Sequence, residues 1–392
     1  MSERSLLMIP GPIEVSEAVI AASSGPPPSH LAPPVMEAFA SALRQMRPVW
    51  RAGPDSQPFV IAGSGTIAME MAVTNLVGPG DRVVLANSGF FSDRMAVMLR
   101  RRGAEVVQVV AWPGEAPDPG IVADAIAEAP TKALFATHVD TSTGVRVDAQ
   151  ALCAAARENG ALSVFDGVCA TAAERFEMEA WGADCYLTSS QKAIGLPAGL
   201  ALMVASVRAL EARDALAVPP PMSMDWDEWR PVMAAYEEGR PSYFSTPATT
   251  LITALDTGLR EVMADGMEAR FALHQRSADA FRAAWRVLGL ELLPVSMDIA
   301  ANTLSAIRYP EGVDSRLVLA IKERGVVVAG GLHPELKARY FRVGHMGHVL
   351  TQQSQLERTV KAVGDALVSV GHSCDVVGAI RAFRSRSENK PS

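Results

Sequence analysis

Residues 183–206 read "ADCYLTSSQKAIGLPAGLALMVAS". Two runs rich in the residues of buried strands flank one lysine, Lys192, and a loop marked by glycine and proline. No nearby acidic residue in sequence pairs with that charge. Most loop lysines extend to solvent. A lysine held at a strand end inside a sheet's ligand crevice has a lowered pKa and can form a Schiff base instead.

The surrounding text decides between these readings. From about residue 58 to 205, apolar runs such as "PFVIAG", "DRVVLANS", "AEVVQVVAW", "KALFATHV" and "ALSVFDG" alternate with helix-like stretches. This alternation predicts an α/β fold with a mostly parallel, doubly wound sheet. Ligands of such sheets collect beyond the carboxyl ends of the strands. That rule singles out "GSGT" (63–66), "HVDTSTG" (138–144), "DGV" (166–168) and "SSQK" (189–192). Residues 206–240 read as helical, 241–250 as a loop, and 251–289 as one long helical pattern. After Gly289 a separate α+β unit follows. The expected organisation is an N-terminal arm over 1–20, a large domain over 21–265, a small C-terminal domain over 266–372, and a polar tail over 373–392 that frays.

The 392 residues carry a net charge of −7. No overall field favours a nucleic acid or an anionic membrane, so neither is expected as a partner. The N-terminal text lacks a signal-peptide pattern and no apolar run is long enough to span a bilayer; a cytoplasmic protein is expected. The four cysteines show no paired spacing, and the "GHMGH" histidines have no companion ligands, so no metal site is expected.

Two features converge on Lys192. Asp166 closes an apolar strand 26 positions earlier, one strand–helix–strand step away. A buried carboxylate there is tolerable against a cation such as a protonated pyridine nitrogen; a turn or helix-cap aspartate is the plainer reading. "AGSGT" (62–66) follows a strand and opens a helix, where Ser64, Gly65 and Thr66 form a phosphate cup, although such residues also cap helices for structural reasons. It is not a dinucleotide fingerprint. Arg342, in "FRVGHMG", offers a planar guanidinium for a carboxylate, or is a surface strand arginine. Amine, ring-nitrogen carboxylate and phosphate cup are the anchors that pyridoxal phosphate needs.

These residues resemble those of class V aminotransferases of fold type I, nearest to the alanine–glyoxylate and serine–pyruvate (serine–glyoxylate) enzymes. The resemblance rests on "IPGP" (9–12), "AGSGT", "THVDTSTGV" (137–145), "DGV", "SSQKAIGLPAGLAL" (189–202), "YFSTPATT" (243–250) and "FRVGHMG" (341–347), in the family's order. It implies a large domain with a seven-stranded, mostly parallel sheet, a smaller C-terminal domain and pyridoxal 5′-phosphate as cofactor. By the resemblance, Lys192 carries the internal aldimine and shuttles the proton, while Asp166 holds the ring nitrogen protonated. Phe91 and Val168 cover the two ring faces, with Phe90 next door leaving the first assignment open. Thr141, where serine is common, stands near the phenolic oxygen. Ser64, Gly65, Thr66 and Gln191 hold the phosphate, joined by Tyr243 and Thr246 of a second copy in a homodimer with shared sites. Arg342 binds the substrate carboxylate, and the backbone of Pro10, Gly11 and Pro12 lines the substrate pocket. The implied activity is ping-pong transfer of an amino group from alanine or serine to glyoxylate or pyruvate. Pyridoxamine–pyruvate or 2-aminoethylphosphonate–pyruvate chemistry is the alternative within the family; a non-catalytic pyridoxal-phosphate-binding module is the alternative outside it.

Overall fold

The computed structural model describes residues 4–388. Seven strands form the central sheet: β1 (Gln57–Ala62), β2 (Arg82–Asn87), β3 (Glu105–Val110), β4 (Ala133–Thr137), β5 (Leu162–Asp166), β6 (Cys185–Ser189) and β7 (Leu200–Ala205). Their order is β1-β7-β6-β5-β4-β2-β3. Only β7 runs against its neighbours; every other pair is parallel. β4, β5, β6 and β7 are buried along their whole length, which is why they read as continuous apolar runs rather than alternating ones. Edge strand β3 is only partly buried, and Val110 at its end is exposed.

Helices cover both faces of the sheet. α1 (Pro33–Trp50) anchors through the Trp50 indole N–H, which donates to the Tyr186 carbonyl at 3.0 Å. α2 (Gly65–Leu76) follows β1 and is buried over most of its surface, as its Met- and Ala-rich text requires. α3 (Phe90–Arg101) follows β2. The carboxyl ends of β1, β4, β5 and β6 open on one side, and the four segments singled out by the strand-end rule lie there.

The expected long helix over 251–289 is two helices, α4 (Thr249–Met263) and α5 (Gly266–Val287). The break falls at Gly266, whose φ of +78° is the left-handed conformation that glycine tolerates and a helix interior does not. Beyond α5, β8 (Leu304–Arg308), β9 (Ala329–Gly330) and β10 (Tyr340–Gly344) form an antiparallel sheet ordered β8-β10-β9, backed by α6 (Gln353–Ser369).

The segment expected as a fraying tail contains α7 (Val376–Ser387), capped by Asp375, whose carboxylate accepts from the Gly378 N–H at 2.8 Å. It lies against α5 with Phe383 fully buried, its ring edge-on to Phe281 at 5.0 Å. The basic residues at the end of this text mask an apolar stripe formed by Val376, Ala379, Ile380 and Phe383. The N-terminal arm is also tied down. Leu6–Leu7 pairs in parallel with Val326–Val327, and the Met8 carbonyl accepts from the Gly344 N–H at 2.7 Å. Among the described residues no helix is long and apolar enough to cross a membrane.

Candidate active site

β5 ends in Asp166, which is only 2% exposed. The Val168 N–H donates to its Oδ1 at 2.8 Å. Burial pushes the carboxyl up to about 7, opposed by that N–H; nearby Asp140 adds to the rise, while Lys192 and Arg94 oppose it. Lys192 stands in the turn after β6 and is the only buried lysine among the described residues. Its Nζ donates to the Pro10 carbonyl of the N-terminal arm. Burial lowers the pKa of the amine; the Cys169 thiol opposes this, Arg342 adds to it, and Asp166 opposes it. Gly11 lets the arm approach this closely. A Cβ there would lie 2.5 Å from Lys192 Cδ and 2.7 Å from Nζ, and its φ is +105°.

The start of α2 faces the same cavity. Ser64 occupies the N-cap position yet its side chain caps nothing, so the hydroxyl is free for a ligand. Gly65 fits because a Cβ would meet Val168 Cγ2 at 2.8 Å and Ser189 Oγ at 3.3 Å. Ser189 Oγ and Gln191 Oε1 are buried without a hydrogen-bond partner among the described residues. Open helix N–H groups, an uncommitted Ser64 and an orphaned Ser189 hydroxyl are what an anionic group would satisfy.

The loop after β4 sets the third wall. Asp140 is fully buried and accepts from Phe91 N–H at 3.0 Å, Ser92 N–H at 3.4 Å and Ser142 N–H at 2.9 Å. It thus caps α3 across the crevice and fixes where Phe91 stands. Arg342 on β10 is 9% exposed; its Nε donates to the Gly330 carbonyl at 2.9 Å and Nη1 to the Thr141 carbonyl at 3.1 Å. Its Nη2 donates to no described residue, which leaves that nitrogen for a ligand.

The cavity brings together Ser64, Gly65, Thr66, Phe91, Thr141, Asp166, Val168, Gln191 and Lys192. The family model of the class-V aminotransferases matches residues 28–349. This chain belongs to the class-V aminotransferases. It is 37% identical to alanine–glyoxylate aminotransferase 1 of Saccharomyces cerevisiae over 87% of this chain and 91% of that protein. It is 33% identical to the L-aspartate–glyoxylate aminotransferase of Paracoccus denitrificans over 88% and 87%. The crystal structure of pyridoxamine–pyruvate aminotransferase from Mesorhizobium loti superimposes with a TM-score of 0.90 at 26% identity, covering 98% of this chain and 97% of that one.

An aminotransferase of this family uses pyridoxal 5′-phosphate, and the uncommitted Ser64 and orphaned Ser189 hydroxyls fit its phosphate. Phe91, not Phe90, is the aromatic on the cavity wall. Gly11 touches Lys192, whereas Arg342 stands behind the Thr141 carbonyl, close enough for its charge to act on the lysine. Tyr243 and Thr246 are not on the cavity wall. Tyr243 is 63% exposed and its hydroxyl lies 3.4 Å from Thr246 Oγ1.

Sequence reasoning missed six wall residues of this aminotransferase: Met69, Arg94, Thr137, Val139, Cys169 and Ser189. Arg94 donates to Thr66 Oγ1 at 3.0 Å and places its guanidinium 5.0 Å over the Phe91 ring. Its place one helical turn after Phe91 was the available signal, since residues three and four apart share a helix face. Cys169 directly follows Val168, and Ser189 closes β6.

Proposed function

We propose that the chain transfers an amino group from a small neutral amino acid, alanine or serine, to glyoxylate or pyruvate. The observation that carries this reading is one cavity lined by the buried Lys192 and the buried strand-end Asp166, with the buried Arg342 held to the carbonyl of the wall residue Thr141. Pyridoxal phosphate, when bound, supplies a ring that withdraws electron density from the donor's Cα. Lys192 would hold its aldehyde carbon, and Asp166 its ring nitrogen. Phe91 and Val168 would cover its faces, and Thr141 would face its phenolic oxygen. Ser64, Gly65, Thr66 and Gln191, with Arg94 and Ser189, would hold the phosphate. Tyr243 and Thr246 would reach the phosphate of the second copy in a homodimer.

The uncommitted Nη2 of Arg342 would hold the donor's α-carboxylate and fix its Cα–H bond relative to Lys192. Burial lowers the pKa of the Lys192 amine, which favours the uncharged form that would take the Cα proton and return it one position away. Gly11, Pro12 and the Pro10 carbonyl close the pocket from the arm and limit the size of the donor. Arg94 lines the Thr66 side of the cavity, with Nη1 on that hydroxyl and its guanidinium over Phe91, where it would serve the phosphate rather than a donor's side-chain carboxylate. That favours neutral donors. The similarity to an aspartate–glyoxylate enzyme makes an acidic donor the second reading, and the pyridoxamine–pyruvate fold neighbour supplies a third.

Adding donors singly to the yellow holoprotein tests the reading. Alanine or serine should bleach the colour and glyoxylate should restore it. Bleaching by aspartate or pyridoxamine alone would replace the neutral-donor reading.

A further inference from the structure

Helix α5 carries Arg270 and His274 one turn apart, and both reach back into the loops that build the site. Arg270 Nη2 donates to the Ala193 carbonyl at 2.8 Å, directly after Lys192, and Nε donates to the Ala172 carbonyl at 3.2 Å. Ala172 holds a left-handed φ of +63°, which an alanine adopts only when its surroundings impose it. Arg270 forms no ion pair with any described carboxylate, so backbone carbonyls are its partners. The His274 ring donates through Nδ1 to the Arg270 carbonyl at 2.9 Å, which leaves Nε2 to accept the Gly347 N–H at 3.2 Å. Gly347 abuts Ala193: a Cβ on it would lie 3.7 Å from Ala193 Cα.

We infer that Arg270 is a positioning residue for the reaction, fixing the Lys192 turn against the turn that follows Asp166 and Val168. The inference rests on the reading that Lys192 carries the cofactor. One guanidinium spans two carbonyls because its donors lie in a rigid plane, which an ammonium or an amide cannot reproduce. The two turns hold the amine and the ring-nitrogen carboxylate, so their relative placement sets the path of the proton. Helix α5 opens the C-terminal unit, so the clamp also joins that unit to the amine. Its partner His274 ties the end of the Arg342 segment to the same helix, so amine and carboxylate binder share one support.

The test compares Arg270→Met and Arg270→Lys with the unsubstituted holoprotein, in three readouts. These are borohydride-trapped cofactor on Lys192, visible circular dichroism of the bound cofactor, and the kcat and KM of the half-reaction with the best donor. A misplaced reacting group at constant binding predicts a kcat loss of about 10- to 100-fold for Arg270→Met, with donor KM within about twofold. The visible dichroism should change while Lys192 remains labelled. Arg270→Lys, which keeps the charge and one hydrogen bond, should fall between the two, and it serves as the test if the Met variant does not fold. Unchanged kcat and dichroism in either folded variant would overturn the inference, as would a loss equal to the drop in folded protein measured by melting. Absence of label on Lys192 in the unsubstituted protein would overturn the cofactor reading itself, a separate outcome.

Discussion

Burial disfavours the charged forms of both Asp166 and Lys192, raising one pKa and lowering the other, and two predictions belong to this pair. Burial holds the Asp166 carboxyl near 7, above its ordinary value of 3.8. Without cofactor, the folded chain therefore binds a proton that the unfolded chain has released between those values. Stability falls as pH rises through that window and stays low above it. Asp166→Asn should accordingly raise the melting temperature of the cofactor-free protein at pH 8 and not at pH 4, while abolishing turnover of the holoprotein. A melting gain equal at both pH values would remove the buried charge from the explanation. Gly11→Ala places a methyl on the lysine stem in a backbone conformation alanine resists. Displacing the amine by this route should reduce kcat by about 100-fold or more, beyond any loss of folded protein measured by melting. Unchanged kinetics would mean the arm yields freely.

The elements were legible where local pattern and burial coincide. The seven central strands stand out because each is an apolar run bounded by turn residues, and the strand-end rule then placed Lys192, Asp166 and Ser64 together. What the sequence hid depends on contacts between distant segments. Nothing local shows that Asp140 caps α3, that Arg94 reaches Thr66, or that Arg270 holds Ala193. The break at Gly266 was hidden by strong helical periodicity on both sides, and α7 by its basic surface. Phe383 is fully buried against Phe281, so Phe383→Ala should destabilise the protein by about 3–5 kcal/mol in urea unfolding. A change below about 0.5 kcal/mol, the range of ordinary surface substitutions, would return α7 to the status of a loose tail.

The molecule as a whole places its chemistry between the sheet, the N-terminal arm and the C-terminal unit, and the stretch around Tyr243 faces outward. Leu31 and Tyr243 are 47% and 63% exposed, and the rings of His30 and Tyr243 sit 5.5 Å apart. A second copy over this stretch would bury them and bring Tyr243 to the neighbouring site. Tyr243→Ala should then weaken cofactor retention, and mixing it with Lys192→Ala chains should rebuild one intact site in each hybrid dimer. No recovery on mixing would mean that each chain builds its site alone. The most direct measurement is borohydride reduction of the holoprotein followed by peptide mapping of its six lysines. The pyridoxyl group should appear on Lys192, the one buried among those described, and vanish in Lys192→Ala; label on any other lysine, or none, would overturn the assignment of the site.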